Sequence, residues 1–378
     1  TAKTTPTTST SGSIKWNPGH YMDSYSVIRQ GVTISKVLSE LNDLNNSDAI
    51  LGFRVNITWS ALEPQQGVYD FAVLDSILAK LKTAYNKPKR LVIYMWLYSN
   101  GAKGTDDSSV IPGYIQSSAT YGTSPVSGSH GWWGRNANGA STGMYAPSLY
   151  YQPVMDRLIS LVQAMGKHYD SDPYVEAIDF QENSTITQAA AFDGGNPLYS
   201  DDQWLTQQKR LLSATTAAFP HTNVVMDNSW FARPAGGVAL QQWMVENRIA
   251  PGTADMWGQS SIESTGGSSL SDGIKTLLGI NPNGGMVDLR PRTRAMLAIE
   301  APDMFGTYFR SKGGPWTPLD IINAANQTYY ASHLFWTRLA GNETSSGLAV
   351  PTEAKWSNLV QTVSAHPLTH TDYPANYP

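Results

Sequence analysis

Two glutamates each stand at the end of a short predicted strand. Glu182 follows the segment Tyr174–Gln181, and Glu300 is the last residue of the segment Arg294–Glu300. A pair of carboxyl groups can hydrolyse a glycosidic bond, because one protonates the leaving oxygen while the other, ionised, attacks the sugar or activates a water molecule. One glutamate alone in such a place more simply caps a strand or pairs with a basic residue. The hydrolytic hypothesis therefore depends on a fold that brings both side chains together.

Short apolar runs alternate with helical patterns through most of the chain. The runs have the length of strands, and several are almost continuously apolar, which is typical of parallel strands buried on both faces. They predict eight strands: Ile14–His20, Ile50–Thr58, Arg90–Tyr98, Tyr174–Gln181, Asn223–Asp227, Ala254–Gln259, Arg294–Glu300 and Ser332–Leu339.

A predicted helix follows each of these strands: Val27–Leu44, Phe71–Ala84, Tyr151–Tyr169, Asp201–Phe219, Gly236–Arg248, Ser271–Leu278, Pro318–Tyr330 and Thr352–Ser364. Such alternation indicates parallel βα units. Eight units without a second region of different composition predict one (β/α)8 barrel of the α/β class. The alternative is an open doubly wound sheet, but no Gly-x-Gly-x-x-Gly follows the first predicted strand to support a dinucleotide site.

The predicted barrel forms a single catalytic domain over residues 14–366. Residues 1–13 are almost entirely Thr, Ser, Pro, Gly and Ala and predict a disordered linker, while residues 367–378 predict an extended C-terminal tail. The functional residues of such barrels lie where the strands end. We therefore expect Glu182 and Glu300, at the ends of the fourth and seventh strands, to meet over the mouth of the barrel.

One predicted connection is much longer than the others. Residues Ser99–Pro147 follow the third predicted strand and are rich in Gly, Ser, Thr and Asn, with Trp132 and Trp133 among them. Loops of this length are usually functional or disordered. We expect this loop to fold over the C-terminal face of the barrel, with both tryptophans facing the cleft and binding sugar.

The composition excludes several classes of protein. The net charge of −4 leaves no basic excess for nucleic acid or an anionic membrane, and no apolar stretch is long enough for a transmembrane helix. The chain has no cysteine, and its seven histidines are scattered and form no His-x-His pair, so we expect neither a metal nor a cofactor. The 12 Trp and 19 Tyr against 9 Phe suit a protein that binds hydroxyl-rich ligands, or one with a large Trp-rich core.

The segment Phe53–Phe71, with the sequence FRVNITWSALEPQQGVYDF, resembles the second βα unit of clan A glycoside hydrolases. The shared pattern is Arg…Trp…Glu-Pro…Gly…Tyr-Asp-Phe, which Leu74 and Asp75 complete here. The chain is similar in this respect to the (β/α)8 enzymes of the family 5, 10 and 42 type. The resemblance implies a retaining β-glycoside hydrolase with Glu182 as general acid/base and Glu300 as nucleophile.

The same resemblance implies roles for neighbouring residues. Arg54 would keep the nucleophile ionised, and Gln181 stands where the clan usually has an asparagine that bonds the sugar 2-hydroxyl. Gln259 lies in a Gly-Gln-Ser segment that looks like that of family 10 xylanases, although Ser261 replaces their histidine. Three further side chains near predicted strand ends are candidates for sugar contacts: Trp96, Trp336 and His20.

Several alternatives remain open at this point. A non-catalytic carbohydrate-binding barrel would also keep the aromatic residues, and an exo-acting β-glycosidase would share the motifs of an endo-β-glycanase that degrades polysaccharides. Reserve carboxylates near strand ends are Asp227, Glu263 and Asp303, while Glu63 is interpreted as structural. We expect a monomeric bacterial enzyme, secreted or periplasmic, whose signal peptide is not present in this chain. Its partner would be a polysaccharide or oligosaccharide, not nucleic acid or a membrane.

Overall fold

Eight parallel strands form the centre of the molecule. The computed structural model describes residues 13–31, 34–44, 47–100, 108–117, 120–121, 131–135, 141–182, 200–229, 234–280, 287–305, 313–345, 347–374 and 377. The central strands are β1 (Gly19–Ile28), β2 (Ile50–Thr58), β3 (Arg90–Trp96), β4 (Val175–Phe180), β5 (Asn223–Asp227), β6 (Ile249–Gly252), β7 (Ala295–Ile299) and β8 (Ala331–Thr337).

These strands close almost completely into a barrel. They are paired in the order β7-β8-β1-β2-β3-β4-β5-β6, with parallel registers such as Arg54 beside Val92. The two edge strands β6 and β7 come together where the Ala298 N–H donates to the Thr253 carbonyl at 2.8 Å. The prediction of a (β/α)8 barrel is therefore confirmed.

Helices cover the outside of the barrel. The principal ones are α1 (Ser35–Glu40), α2 (Ala72–Thr83), α3 (Gln152–Tyr169), α4 (Asp201–Ala218), α5 (Pro234–Glu246), α6 (Asp272–Leu277), α7 (Pro318–Ala324) and α8 (Trp356–Ala365). Shorter helical segments are Leu41–Leu44, Trp59–Leu62, Ser108–Val110, Gly113–Ser117, Gln259–Thr265, Arg290–Arg292, Ala301–Met304, Ala325–Tyr329 and Thr352–Ala354. In α2 the buried residues recur every three or four positions, at Leu74, Ile77, Leu78 and Leu81, so one face packs on the strands.

Two predicted strands are wrong, while the other six agree with the structure to within two residues at each end. The first was predicted at Ile14–His20, yet β1 begins at Gly19, because its buried face carries polar residues that hide the apolar pattern. The sixth was predicted at Ala254–Gln259, yet β6 ends at Gly252. Its sequence, Ile-Ala-Pro-Gly, contains two residues that disfavour strands.

The inner face of the barrel changes from apolar to acidic along the strands. Its lower level is a small apolar core of Tyr21, Val92, Ala177, Val225, Ala250, Met296, Ala298 and Phe335. Side chains of a strand alternate between its two faces, so residues two positions further along also point inward. Five members of this core are followed, two positions further along their strands, by the polar residues Asp23, Tyr94, Asp179, Asp227 and Glu300. The alternation therefore brings polar groups from five strands to one level near the C-terminal face.

The motif that follows β2 forms a structural unit around Glu63. This carboxylate is fully buried, and it accepts hydrogen bonds from Trp59 Nε1 (2.8 Å), the Gly67 N–H (2.8 Å) and the Tyr114 hydroxyl (2.9 Å), besides an ion pair with Arg157. Gly67 has φ +75°, a backbone conformation that residues other than glycine rarely adopt. Each carboxylate oxygen therefore has two donors, in agreement with the structural interpretation of Glu63.

The long connection after β3 carries a small antiparallel sheet. Its strands are Ser99–Asn100, Ser141–Pro147 and Trp132–Arg135, in that spatial order. The structure corrects the expectation that Trp132 faces the cleft and binds sugar, because its ring is 7% exposed and stacks on Tyr145 with 6.0 Å between ring centroids. The side chain of Trp133 lies outside the described residues.

The C-terminal tail packs across the N-terminal end of the barrel. Trp16 Nε1 donates to the Thr371 carbonyl at 2.7 Å, and Arg294 pairs with Asp372 at 2.6 Å. Apart from Ser13, the predicted linker over residues 1–13 lies outside the described residues. Within the described ranges, no helix is long and apolar enough to cross a membrane.

Candidate active site

A cleft opens at the C-terminal ends of β1, β2, β3, β7 and β8. The residues that line it include Asp23, Tyr25, Arg54, Asn56, Tyr94, Trp96, Glu300 and Thr337. The side chain of Glu300 is exposed to this cleft. One of the two glutamates predicted from the sequence therefore lies in a concave site at the functional face of the barrel.

The turn that carries Glu300 is held by a second carboxylate. Glu300 follows β7 and precedes the helix Ala301–Met304, and its backbone N–H donates to Asp303 Oδ2 at 2.9 Å. Asp303 also accepts from the Met256 N–H at 3.3 Å and is fully buried. Asp303, a reserve catalytic candidate in the sequence, therefore positions the backbone at Glu300 and does not line the cleft.

The surroundings of Glu300 disfavour its charge. Enclosure by protein atoms is the largest cause, although water reaches the side chain through the cleft. The negative charges of Asp255, Glu182 and Asp23 add to this effect, and together they raise the pKa of Glu300 to about 8. Arg54 lowers this pKa, but by less than the other causes raise it. Arg54 therefore acts on Glu300 in the expected direction, while the other groups around Glu300 favour its protonated form.

Arg54 is instead bound by three aspartates on the inner face of the barrel. Its guanidinium donates to Asp179 Oδ2 at 2.8 and 3.0 Å, to Asp23 Oδ2 at 3.1 Å and to Asp227 Oδ2 at 3.4 Å. It also lies over the Tyr94 ring, 3.5 Å from the centroid. All of these side chains are buried. The three aspartates thus offset the positive charge of Arg54 and reduce its effect on the pKa of Glu300.

The aspartates around Arg54 hold protons more tightly than free aspartates do. Burial is the main cause, and it raises the pKa of both Asp23 and Asp179 to about 6 despite the nearby guanidinium. Burial and the charge of Asp179 raise the pKa of Asp227 well above its usual range.

Among the residues described here, no group of three or more His, Asp or Glu side chains is arranged to hold a metal ion.

Glu182 lies at the end of β4, and the structure describes nothing from residue 183 to residue 199. Its side chain is half-buried. Its negative charge contributes to the raised pKa of both Glu300 and Asp227, so the three carboxylates are close enough to interact at this end of the barrel. The charge of one glutamate that the sequence singled out therefore acts on the other.

Two other candidates from the sequence lie near the ends of β3 and β4. Gln181 is buried, and its Oε1 accepts hydrogen bonds from the Leu97 N–H (2.7 Å) and the Tyr98 N–H (2.9 Å), which leaves the amide nitrogen as its donor. Trp96 lines the cleft, and its indole N–H is buried without a hydrogen-bond partner in the described part of the chain. Their roles in sugar binding remain predictions.

His20 and Trp336 lie between strands and helices rather than in the cleft. Phe335 belongs to the inner core, so its neighbour Trp336 points outward, and His20 points outward beside Tyr21 for the same reason. Trp336 Nε1 donates to His20 Nδ1 at 3.0 Å, and both side chains are buried. The structure corrects the prediction that these two residues contact sugar, because neither presents a side chain to the cleft.

Gln259 and Glu263 lie on a short helix after β6. Gln259 Nε2 donates to Glu263 Oε1 at 3.0 Å, and Gln259 Oε1 accepts from the Thr328 hydroxyl at 2.8 Å. Neither residue lines the described cleft. Sequence reasoning expected Gln259 at a strand end, and the displacement of β6 explains the difference.

Sequence reasoning missed Asp23, Asn56 and Asp179 as site residues. Asp179 had a usable signal, since it alternates with Ala177 and Gln181 along a predicted strand and therefore shares their face. Asn56 and Arg54 show the same spacing in β2. Asp23 had no such signal because the first strand was placed too early.

Comparison with known proteins shows similarity at the level of structure only. No family model matches the sequence, and no curated protein is significantly similar to it. GH5_18 from Streptomyces cattleya, solved in complex with GlcNAc, has 10% identity and a TM-score of 0.52, covering 93% of this chain and 80% of that one. Endo-glycoceramidase II from Rhodococcus sp. has 13% identity and a TM-score of 0.51, with the same coverages.

A third similar structure is an exo-β-1,4-mannosidase from an Opitutaceae bacterium, with 12% identity and a TM-score of 0.51; the match covers 95% of this chain but 62% of the mannosidase. At such identities the likeness shows the fold alone. The neighbours are clan A glycoside hydrolases, and this chain has their barrel fold over more than nine-tenths of its length. The resemblance seen in Phe53–Phe71 is confirmed to that extent.

Proposed function

We propose that the protein is a retaining β-glycoside hydrolase of polysaccharides or oligosaccharides, with Glu182 as general acid/base and Glu300 as nucleophile. The observation that carries this proposal is that Glu300, which lines the cleft, is affected by the charge of Glu182, which follows β4. The glycoside hydrolase folds of the structural neighbours support it.

The proposed reaction has two steps. Glu182 protonates the glycosidic oxygen while Glu300 attacks the anomeric carbon, so that the C–O bond to the leaving sugar breaks and a glycosyl ester forms on Glu300. Glu182 then takes a proton from water, whose oxygen attacks the anomeric carbon and releases Glu300. This double displacement requires carboxyl groups about 5–5.5 Å apart, whereas inversion requires about 6.5–9.5 Å.

The protonation states of Glu182 and Glu300 determine how the activity depends on pH. Two interacting carboxyl groups titrate as a pair, and the surroundings of Glu300 favour a proton there in the free protein. Attack requires Glu300 to be ionised while Glu182 holds its proton, so the reactive form carries one proton on the pair. We therefore expect kcat/KM, which reports on the free enzyme, to follow a bell-shaped pH profile, rising as the pair loses its first proton and falling as it loses its second.

Glu300→Gln tests the nucleophile. The variant keeps the shape of the side chain but cannot form the glycosyl ester, so hydrolysis of a panel of β-linked glycans should fall by roughly 10⁴-fold or more. Glu263→Gln is the matched control, because Glu263 lies on the helix after β6 and does not line the cleft. Retention of activity by Glu300→Gln would refute the assignment, and a wild-type protein that binds glycans without cleaving any would be a carbohydrate-binding barrel.

Glu182→Ala tests the acid/base. The loss should be large for substrates with poor leaving groups and small for aryl glycosides with good ones. Azide should restore turnover of the aryl glycosides and give a β-glycosyl azide, because azide attacks the glycosyl ester without a general base. An α-glycosyl azide, or the α-anomer as the first product of the wild-type enzyme in a time-resolved NMR assay, would exclude retention. The lengths of the products from a polysaccharide distinguish endo from exo action.

A further inference from the structure

The cleft beside Glu300 has more carboxyl groups than basic groups. Within the described lining of the cleft, Arg54 is the only basic residue, and three aspartates share it. The charges of Asp255 and Glu182 act on the same cleft, since both raise the pKa of Glu300. A neutral sugar would leave this imbalance in place. A ligand with positive charge would reduce it.

Two buried acceptors in the cleft wall have no hydrogen-bond partner in the described structure: Asp23 Oδ1 and Asn56 Oδ1. The two residues are 6% and 5% exposed, and both line the cleft. Asn56 Nδ2 donates to the Ser24 carbonyl at 2.7 Å, which identifies the other amide atom as the acceptor. Buried polar atoms are nearly always paired, so these two atoms mark a place for a ligand that brings donors.

We propose that this subsite, bounded by Asp23 and Asn56 next to Glu300, binds a protonated amino group, and that the substrate is a β-linked amino sugar polymer or oligomer with free amines. An ammonium group has three donors and no acceptor, which matches two unpaired acceptors in a pocket with more carboxyl groups than basic groups, and its charge would favour their ionised forms. The inference rests on the proposed hydrolase function and specifies its substrate class.

Other sugar substituents fit the subsite less well. A hydroxyl group supplies one donor and leaves the charge imbalance unchanged. An N-acetyl group supplies one N–H donor, has no charge and adds a carbonyl acceptor to a wall of acceptors. The exposed ring of Tyr25 at the edge of the cleft and the half-buried Trp96 offer flat surfaces for sugar C–H faces, which any of these substrates would use equally. Lys36 lies 5.9 Å from the centroid of the Tyr25 ring and does not line the cleft.

Calorimetry with three matched tetramers tests the proposal. The ligands are the β-1,4-linked tetramer of glucosamine, its fully N-acetylated form and cellotetraose, which differ only at the 2-position. They are titrated into Glu182→Gln, which slows turnover and keeps Asp23 and Asn56. A charge-assisted hydrogen bond contributes about 1.5–3 kcal/mol, so the glucosamine tetramer should bind roughly ten- to a hundredfold more tightly than either neutral tetramer.

A matched pair of charge removals separates this subsite from general attraction between a cationic sugar and an acidic protein. In the Glu182→Gln background, Asp23→Asn should weaken binding of the glucosamine tetramer by about tenfold and leave cellotetraose nearly unchanged. Asp48→Asn removes the same charge from an exposed pair with Lys87, away from the cleft, and should change neither. If Asp23→Asn does not fold, Asn56→Leu can be used instead, because it removes the neighbouring acceptor without breaking an ion pair. The comparison of the three tetramers is a further test, since it needs no variant at the subsite.

Proton release gives an independent measurement. Burial raises the pKa of Asp23 to about 6, so below that pH an ammonium group displaces its proton. Titrations at pH 5.5 in two buffers of different ionisation enthalpy should show proton release with the glucosamine tetramer and none with cellotetraose.

The proposal is overturned if the three tetramers bind equally, or if Asp23→Asn and Asp48→Asn weaken the glucosamine tetramer alike. The outcome for the hydrolase function is separate. Glu300-dependent cleavage of neutral glycans without a preference for the amine would refute the amino sugar subsite alone. Tight binding of the glucosamine tetramer by a wild-type protein that cleaves no glycan would refute the hydrolase function alone.

Discussion

Both ends of the barrel bury a carboxylate against an arginine, but they differ in how completely the charges are paired. At the N-terminal end, Glu176 is fully buried and pairs with Arg90. Its Oε1 accepts from the Asn17 N–H (2.8 Å) and Asn223 Nδ2 (3.3 Å) and lies 3.1 Å from His333 Nε2. At the cleft, Arg54 is divided among three aspartates, and each of these keeps one oxygen without a partner in the described structure.

The two networks shift carboxyl pKa values in opposite directions. Burial alone would raise the pKa of Glu176, but the hydrogen bond from His333 and the charge of Arg90 outweigh it and lower this pKa to about 2. At the cleft, burial wins, and the pKa of Asp23 and that of Asp179 rise to about 6. A closed network stabilises the barrel, whereas an incomplete one leaves hydrogen-bonding capacity and charge for a ligand.

Neutralising one carboxylate in each network should give the largest difference in stability between the two ends of the barrel. Glu176→Gln removes the charge that pairs with Arg90 and should lower the free energy of unfolding by about 3 kcal/mol, because it leaves a largely buried cation unpaired. Asp227→Asn should change it by less than about 1 kcal/mol or raise it, since burial and Asp179 already favour the neutral form of Asp227.

Urea denaturation of both variants at pH 7 measures this difference. Asp48→Asn, at an exposed ion pair, serves as the control and should remain within about 0.5 kcal/mol of the wild type. Equal losses from Glu176→Gln and Asp227→Asn would mean that the two ends do not differ in the way described.

The dependence of stability on pH should separate the networks next. Carboxylates with raised pKa values bind protons in the folded state that the unfolded chain has already lost, so the cleft makes the free energy of unfolding fall as pH rises from about 4 to about 8. Glu176 has a lowered pKa, so its contribution is present above about 4.5 and is lost as pH falls towards about 2.

We therefore expect maximum stability on the acid side of neutrality. Thermal denaturation of the wild type and of Glu300→Gln across pH 4 to 9 measures the effect. The stability of the variant should decline less steeply with pH above pH 5. The difference in slope should correspond to up to one bound proton between about pH 5 and 8. Parallel profiles for the two proteins would contradict the raised pKa of Glu300.

A pair of asparagines should give the smallest contrast. Asn223 Nδ2 donates to the Lys15 carbonyl at 2.7 Å and to Glu176, so Asn223→Ala leaves buried acceptors unpaired and should cost about 2 kcal/mol of stability. Asn56→Ala removes one donor and an acceptor that already lacks a partner, and should cost about half as much. Chemical denaturation checks both values, and an Asn56→Ala variant less stable than Asn223→Ala would reverse the comparison.

The parts of the fold that sequence reasoning predicted are those in which local pattern and burial agree. β2 and β5 were predicted with their observed ends, and α2 to within one residue at each end, because their apolar residues follow the period of the element. β1 was misplaced because polar residues occupy its inner face, and β6 was misplaced because its four residues include proline and glycine. His20 and Trp336 were assigned to the cleft from their nearness to strand ends, without counting on which face of the strand each lies.

The amino-acid sequence by itself determined the alternation of strands and helices, the two glutamates at strand ends and the local bonds of Glu63 to Trp59 and Gly67, since each depends on residues close together in the chain. The tertiary structure alone decided which charges surround Arg54. Asp23, Asp179 and Asp227 come from three strands distant in sequence, and they meet only because barrel closure brings their inner faces to one level. Electrostatic energy depends on distances and burial in space, so the pKa values of the cleft follow from the closed barrel and not from the order of residues.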